Sequence, residues 1–158
     1  DAEVHLLGML FVNVITAMET YLSDLFINEV LNSKEKLVAF VESNPDFQSQ
    51  TFKLSEVFKK HSAIEQEVKS YLLGLMWHNI AKVKPMFKDS LDIEFPKDMS
   101  GIFKAVKKRH DLVHRAGKDK DGNIVSVTRE ELSDLINSVT EFVGHINEQI
   151  QDADSFEF

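Results

Sequence analysis

The chain of 158 residues has no cysteine. Disulfide frameworks, thiolate metal sites and cysteine nucleophiles are thereby excluded, and the absence suits a reducing cytoplasm, the location expected here. Proline is scarce, with none before Pro45, so nothing in the first 31 residues breaks a helix. Long hydrophobic runs are missing too. The longest uncharged stretch near the start, Val4 to Met18, holds 15 residues and includes His5, Asn13 and Thr16. A membrane span needs about 20 mainly apolar residues, so none is expected. No Lys or Arg precedes that stretch, which argues against a signal peptide. Internal repeats and low-complexity tracts are lacking. The length suits a single helical domain over 1–158, with an acidic, frayed tail at 152–158.

Positive charge is also short overall, the net charge being −8, which on average repels nucleic acid and membranes. The average hides a concentration. Between Lys104 and Lys120 stand seven Lys or Arg against two Asp, a local +5, so the remainder carries −13. A compact basic patch on an acidic body suits a local phosphate contact better than a coat along a duplex.

The apolar pattern is helical throughout. Leu7, Phe11, Val14, Met18, Tyr21, Leu22 and Leu25 place a wide stripe on one helix from about Ala2 to Leu31. A short helix is expected from Lys34 to Val41, a loop at Ser43–Asp46, and one or two turns at Leu54–Lys60. Ser62 with Glu65 forms a capping-box pattern for a long helix that Pro85 ends. Asp92–Pro96 reads as irregular, and Asp98 or Ser100 as the cap of a helix stopping near Gly117. Lys118–Asn123 is a polar turn, and Ile124–Val127 a short extended piece. Thr128 with Glu131 makes a second capping box, ahead of a stripe of Leu132, Leu135, Ile136, Val139, Phe142, Val143, Ile146 and Ile150. The expected fold is an all-α bundle of four long helices plus one or two short ones.

One helix breaks its own pattern. Ile102, Phe103, Ala105 and Val106 set an apolar stripe that Leu112 and Val113 resume, and Arg109 falls near its middle. His110 and His114 lie together along one edge, and Lys104, Lys107, Lys108, Asp111 and Arg115 take the opposite, solvated face. A guanidinium aimed at a core is costly unless something pairs with it or a partner comes to it.

Arg109 and His114 are an Arg and a His separated by four residues, with a polar residue directly after the Arg. Set late in a small helical chain and followed by Arg115 and a Gly-Lys-Asp-Lys-Asp-Gly loop, this motif resembles that of the HEPN superfamily. The resemblance covers most of the chain in layout, and Arg109–His114 in motif. It implies a metal-independent endoribonuclease of toxin–antitoxin or phage-defence type, working as a homodimer that joins two motifs in one cleft. His114 would be the general acid/base, Arg109 the phosphate-stabilising group, and His110 an assistant. Lys104, Lys107, Lys108, Arg115, Lys118 and Lys120 would hold RNA, with no metal or cofactor and a possible antitoxin protein as partner. The chemistry fits these roles, because an imidazole changes charge near neutral pH and a planar guanidinium grips two phosphate oxygens. About 140° of helix separates Arg109 from His114, and a cleft shared by two protomers relieves that spread. In the branch paired with nucleotidyltransferase antitoxins, a modifiable Tyr follows the motif His by two residues. Ala116 stands there, so regulation by that route is not expected.

Three other readings compete. His110-Asp111-Leu112-Val113-His114 resembles a His-Glu-x-x-His zinc motif with Asp for Glu, but the third His would fall at Lys120 and the flanking cations repel a dication. Asp119, Asp121, Asn123 and Glu130 mimic calcium-loop positions, yet Ile124 occupies the place that demands Gly. The third is a non-catalytic HEPN-like module binding RNA or protein, with Arg109 in a structural ion pair to Glu19 or Glu29.

Overall fold

A computed structural model describes residues 2–115 and 117–154. Seven α-helices are present among them and no strand: α1 (Ala2–Asn32), α2 (Lys34–Ser43), α3 (Pro45–Gln48), α4 (Val57–Leu73), α5 (Ile80–Leu91), α6 (Ser100–His114) and α7 (Arg129–Asp154). The all-α expectation holds. The chain divides into two compact units, 1–21 with 95–158 and 22–94, and α1 belongs to both.

In the first unit α1, α6 and α7 run side by side. Gly8 lets α1 approach Leu112, and Lys108 Nζ sits 5.9 Å from the Phe11 ring centre, so α1 and α6 are antiparallel. Gly101 faces Ser138, and Lys108 meets Glu131, making α6 and α7 antiparallel as well. Arg129 pairs with Glu3 at 2.8 Å. The N-termini of α1 and α7 thus share an end with the C-terminus of α6, where the Arg109–His114 segment lies. Phe11, Ile15, Met18, Ile102, Ala105, Leu135, Phe142 and Ile146 fill the interior, with Phe95 edge-on to Phe142 at 4.8 Å.

The second unit is built on aromatics. Phe26 meets Phe40, Trp77 and Phe87 at 5.5, 5.8 and 5.1 Å between ring centres. Trp77 donates its indole N–H to the Leu72 carbonyl at 3.1 Å. Beside them Tyr71 donates to Asp46 at 2.5 Å, and Lys82 donates to the same carboxylate at 3.0 Å. The Tyr71 and Lys82 hydrogen bonds hold the Asp46 carboxyl below its usual range.

Several expected boundaries move. The expected Ser43–Asp46 loop shrinks to Asn44 between α2 and α3, since Asn44 caps α3 by accepting from Asp46 N and Pro45 takes its first position. Ser62 caps nothing. Its hydroxyl donates back to the Lys59 carbonyl inside α4, which starts at Val57 after a 3-10 turn at Leu54–Glu56. Pro85 does not end a helix but sits within α5; the break falls earlier, between Gly74 and Asn79. The α1 stripe is also rotated. Ile15, Phe26 and Val30 are fully buried, whereas Leu7, Val14, Tyr21 and Leu25 are half-buried. Formed at full length, α1 holds an 18-residue window of mean hydropathy 1.4, long and apolar enough to cross a membrane by composition. Its regular buried row is nonetheless what a core helix shows. At the other end α7 stays helical through Asp154, and the remainder of the expected frayed tail, 155–158, lies outside the described residues.

Candidate active site

Helix α6 starts with Ser100 N donating to Asp98 Oδ1 at 2.9 Å and ends at His114, where Arg115 N still reaches the Asp111 carbonyl. Ile102 and Ala105 anchor it in the core. Arg109 is half-buried, and its Nε is fully buried without a hydrogen-bond partner. No ion pair joins Arg109 to a described residue. The structural pair expected under the binding-module reading is therefore absent, and Glu29 instead takes Lys36 at 2.5 Å. A buried guanidinium donor left open is costly, and an anion that reaches it recovers the cost.

His110 and His114 are exposed, one helical turn apart, with ring centres 4.9 Å apart and planes tilted by 46°. Among the described residues no group of three His, Cys, Asp or Glu is assembled around a metal-sized space.

The basic residues divide. Lys104, Lys107, Lys118 and Lys120 are exposed. Lys108 and Arg115 do not stand free on a solvated face: Lys108 Nζ lies 2.6 Å from Glu131, and Arg115 Nε lies 3.3 Å from the half-buried Asp111. The loop beyond α6 turns at Gly117 (φ 73°) and Gly122 (φ 85°), conformations that favour glycine. Within it the Asp119 carboxylate accepts from Asp121 N and Asn123 N, both at 2.9 Å, and from Asn123 Nδ2 at 3.0 Å. These bonds hold its pKa down, the Asn123 side chain contributing most. The calcium-like acid thus serves the turn. Ala116 lies outside the described residues.

Two supporting ion pairs escaped sequence reasoning. Glu131 was legible as the capping-box acid of α7, and it does accept from Thr128 N at 2.9 Å while Thr128 Oγ1 accepts from Glu131 N at 3.1 Å. Its second bond, to Lys108, ties the turn beside Arg109 to the start of α7. The Asp111–Arg115 pair had a signal in its i,i+4 spacing. Lys108, then Thr128, hold the Glu131 carboxyl below its usual range. A lowered folded pKa gives stability that is present above the unfolded value and lost as pH falls through the folded one. Melting of the wild type should therefore fall more steeply below about pH 4.3 than melting of Glu131→Gln, which keeps the capping-box acceptor, loses only the half-exposed ion pair to Lys108, and at pH 7 should be less stable by no more than about 0.5 kcal/mol. Parallel melting curves across that range would exclude this role.

The model of the RiboL-PSP-HEPN family matches residues 1–152. The chain belongs to the HEPN superfamily. No curated protein and no solved structure matches it. Membership supports a HEPN-type nuclease or RNA-binding module. The HEPN match spans both compact units, although every motif residue lies in one of them. A cavity of about 780 Å³ lies wholly in the other unit, with Leu37, Val41 and Ile64 among its walls.

Proposed function

We propose that the protein is a metal-independent endoribonuclease of toxin–antitoxin or phage-defence type, acting in the cytoplasm on single-stranded or looped RNA. The observation that carries this reading is the Arg109 guanidinium, whose buried Nε has no hydrogen-bond partner among the described residues, on the same helix that exposes His110 and His114. His114 removes the proton from a ribose 2′-hydroxyl. The 2′-oxygen then attacks the adjacent phosphorus, the bond to the 5′-oxygen breaks, and that oxygen takes a proton from a motif imidazolium, His114 acting as general acid. The products are a 2′,3′-cyclic phosphate and a 5′-hydroxyl. Arg109 holds the phosphate oxygens as negative charge grows on them, and His110 assists. Lys104, Lys107, Lys118 and Lys120 offer exposed charge to the flanking backbone, with Lys108 and Arg115 at the rim.

A homodimer completes this reading. Leu6 (55 % exposed), Met9, Leu10 and Val113 (45 % exposed) leave apolar surface at the end of the unit that carries the motif. Apolar exposure at one end of a unit suits an interaction surface, and a second copy docked there would supply the second motif that a shared cleft requires. Light scattering should find a dimer at micromolar concentration and a monomer for Val113→Glu. A wild type that is only monomeric removes this part of the proposal. An antitoxin protein is a further partner we expect.

The deciding test is cleavage of diverse RNAs in excess EDTA, with the product ends identified. Cyclic-phosphate ends formed without metal are the expected result. A folded chain that leaves every RNA intact is instead a binding module.

A further inference from the structure

His110 and His114 are solvent-exposed, and among the described residues their side chains contact only each other. We propose that the two imidazoles form a bidentate site for a borderline transition-metal dication such as Zn²⁺ or Ni²⁺, and that loading it silences the motif. The silencing rests on the nuclease reading above; the binding does not.

The geometry suits one ion. An ion about 2.0–2.1 Å from each imidazole nitrogen, at bond angles of about 90–109°, holds two ring centres about 4.5–5.2 Å apart. The observed separation is 4.9 Å. Imidazole is a ligand that zinc, nickel and copper favour, whereas magnesium and calcium prefer oxygen. No third protein donor is assembled there among the described residues, so water fills the remaining positions and the affinity is that of a two-ligand chelate.

The local charge is less hostile than the sequence suggests. Of the neighbouring cations, Lys108 is paired with Glu131 and Arg115 with Asp111. Lys107 and Arg109 still oppose a dication. The site lies in the last turn of α6, where the helix dipole favours positive charge. Binding ties up a nitrogen of His114 and so removes the group that would take the 2′-hydroxyl proton. The metal is thereby an inhibitor of the site, not its cofactor.

The test begins without RNA. Calorimetric titration with Ni²⁺ should show one ion per chain, at micromolar to submillimolar affinity. His110→Ala and His114→Gln should each weaken it at least tenfold, with melting curves unchanged, whereas His61→Ala on α4 should not. Ni²⁺ should also protect His110 and His114 from diethylpyrocarbonate, read by mass spectrometry. Absence of binding up to millimolar Ni²⁺, or binding that survives both substitutions, overturns the chelate. Zn²⁺ at saturation should then stop RNA cleavage, and EDTA should restore it. Undiminished cutting by the zinc-loaded protein overturns the silencing, whereas a protein that never cuts contradicts the nuclease reading and leaves the chelate to the titration.

Discussion

His114→Ala and Arg109→Ala should each lower RNA cleavage by about 10²–10⁴-fold while the helices remain folded. The two losses arise differently. The His114 side chain is exposed and takes no hydrogen bond from a described residue, so its removal should take away proton transfer and little else. Arg109 is half-buried, and a structural guanidinium would destabilise the chain on removal. Here its Nε is already unpartnered and no ion pair is broken, so the substitution should cost little in melting temperature. A buried pair would behave otherwise, since removing one partner costs about 3–5 kcal/mol. The paired measurement is single-turnover cleavage beside thermal melting. A large fall in melting temperature for Arg109→Ala would falsify its assignment to phosphate. Lys107→Ala should act more weakly, raising KM and reducing salt sensitivity with little change in the cleavage step.

The motif was legible because it breaks a rule. An Arg on the apolar stripe of an amphipathic helix conflicts with the core around it, and such conflicts fall at functional or strained positions. The capping box of α7 was legible for another reason: Thr128 and Glu131 follow a chain already turned by Gly117 and Gly122, so no earlier helix competes for them. The same spacing at Ser62 and Glu65 misled. Ser and Glu three residues apart also share a face inside a helix, and α4 had already begun at the Leu54–Glu56 turn. Pro85 misled because a lost hydrogen bond to position 81 is affordable when Val83, Met86 and Phe87 are buried around it. The register of α1 was blurred by apolar residues on nearly every side, which leaves periodicity little contrast. What no pattern could supply was partnership. Lys108 and Lys107 are adjacent and chemically alike, yet only Lys108 meets Glu131, because it lies on the side of α6 that packs against α7.

Phe26→Ala should cost about 3–5 kcal/mol, the range for emptying a buried aromatic site. Phe26 has no exposed surface, and its ring touches Phe40 edge-on and Trp77 and Phe87 at a tilt. Aromatic pairs of this geometry add about 0.5–1.5 kcal/mol each beyond burial, so the loss falls toward the upper end. Neighbouring rings are too rigid to collapse into the space, which a chain of Leu or Met would partly fill. Against a total stability of about 5–15 kcal/mol, the variant sits near the threshold for folding. Urea unfolding should show a lower midpoint at constant slope, with Phe26→Leu losing less than half as much. Phe142→Ala, in the unit that carries the motif, supplies the comparison. Because α1 runs unbroken through both units, each variant should shift one shared transition. Two separate transitions, with Phe26→Ala moving only one, would show that the aromatic unit melts independently. The motif unit would then keep its fold after the other has opened.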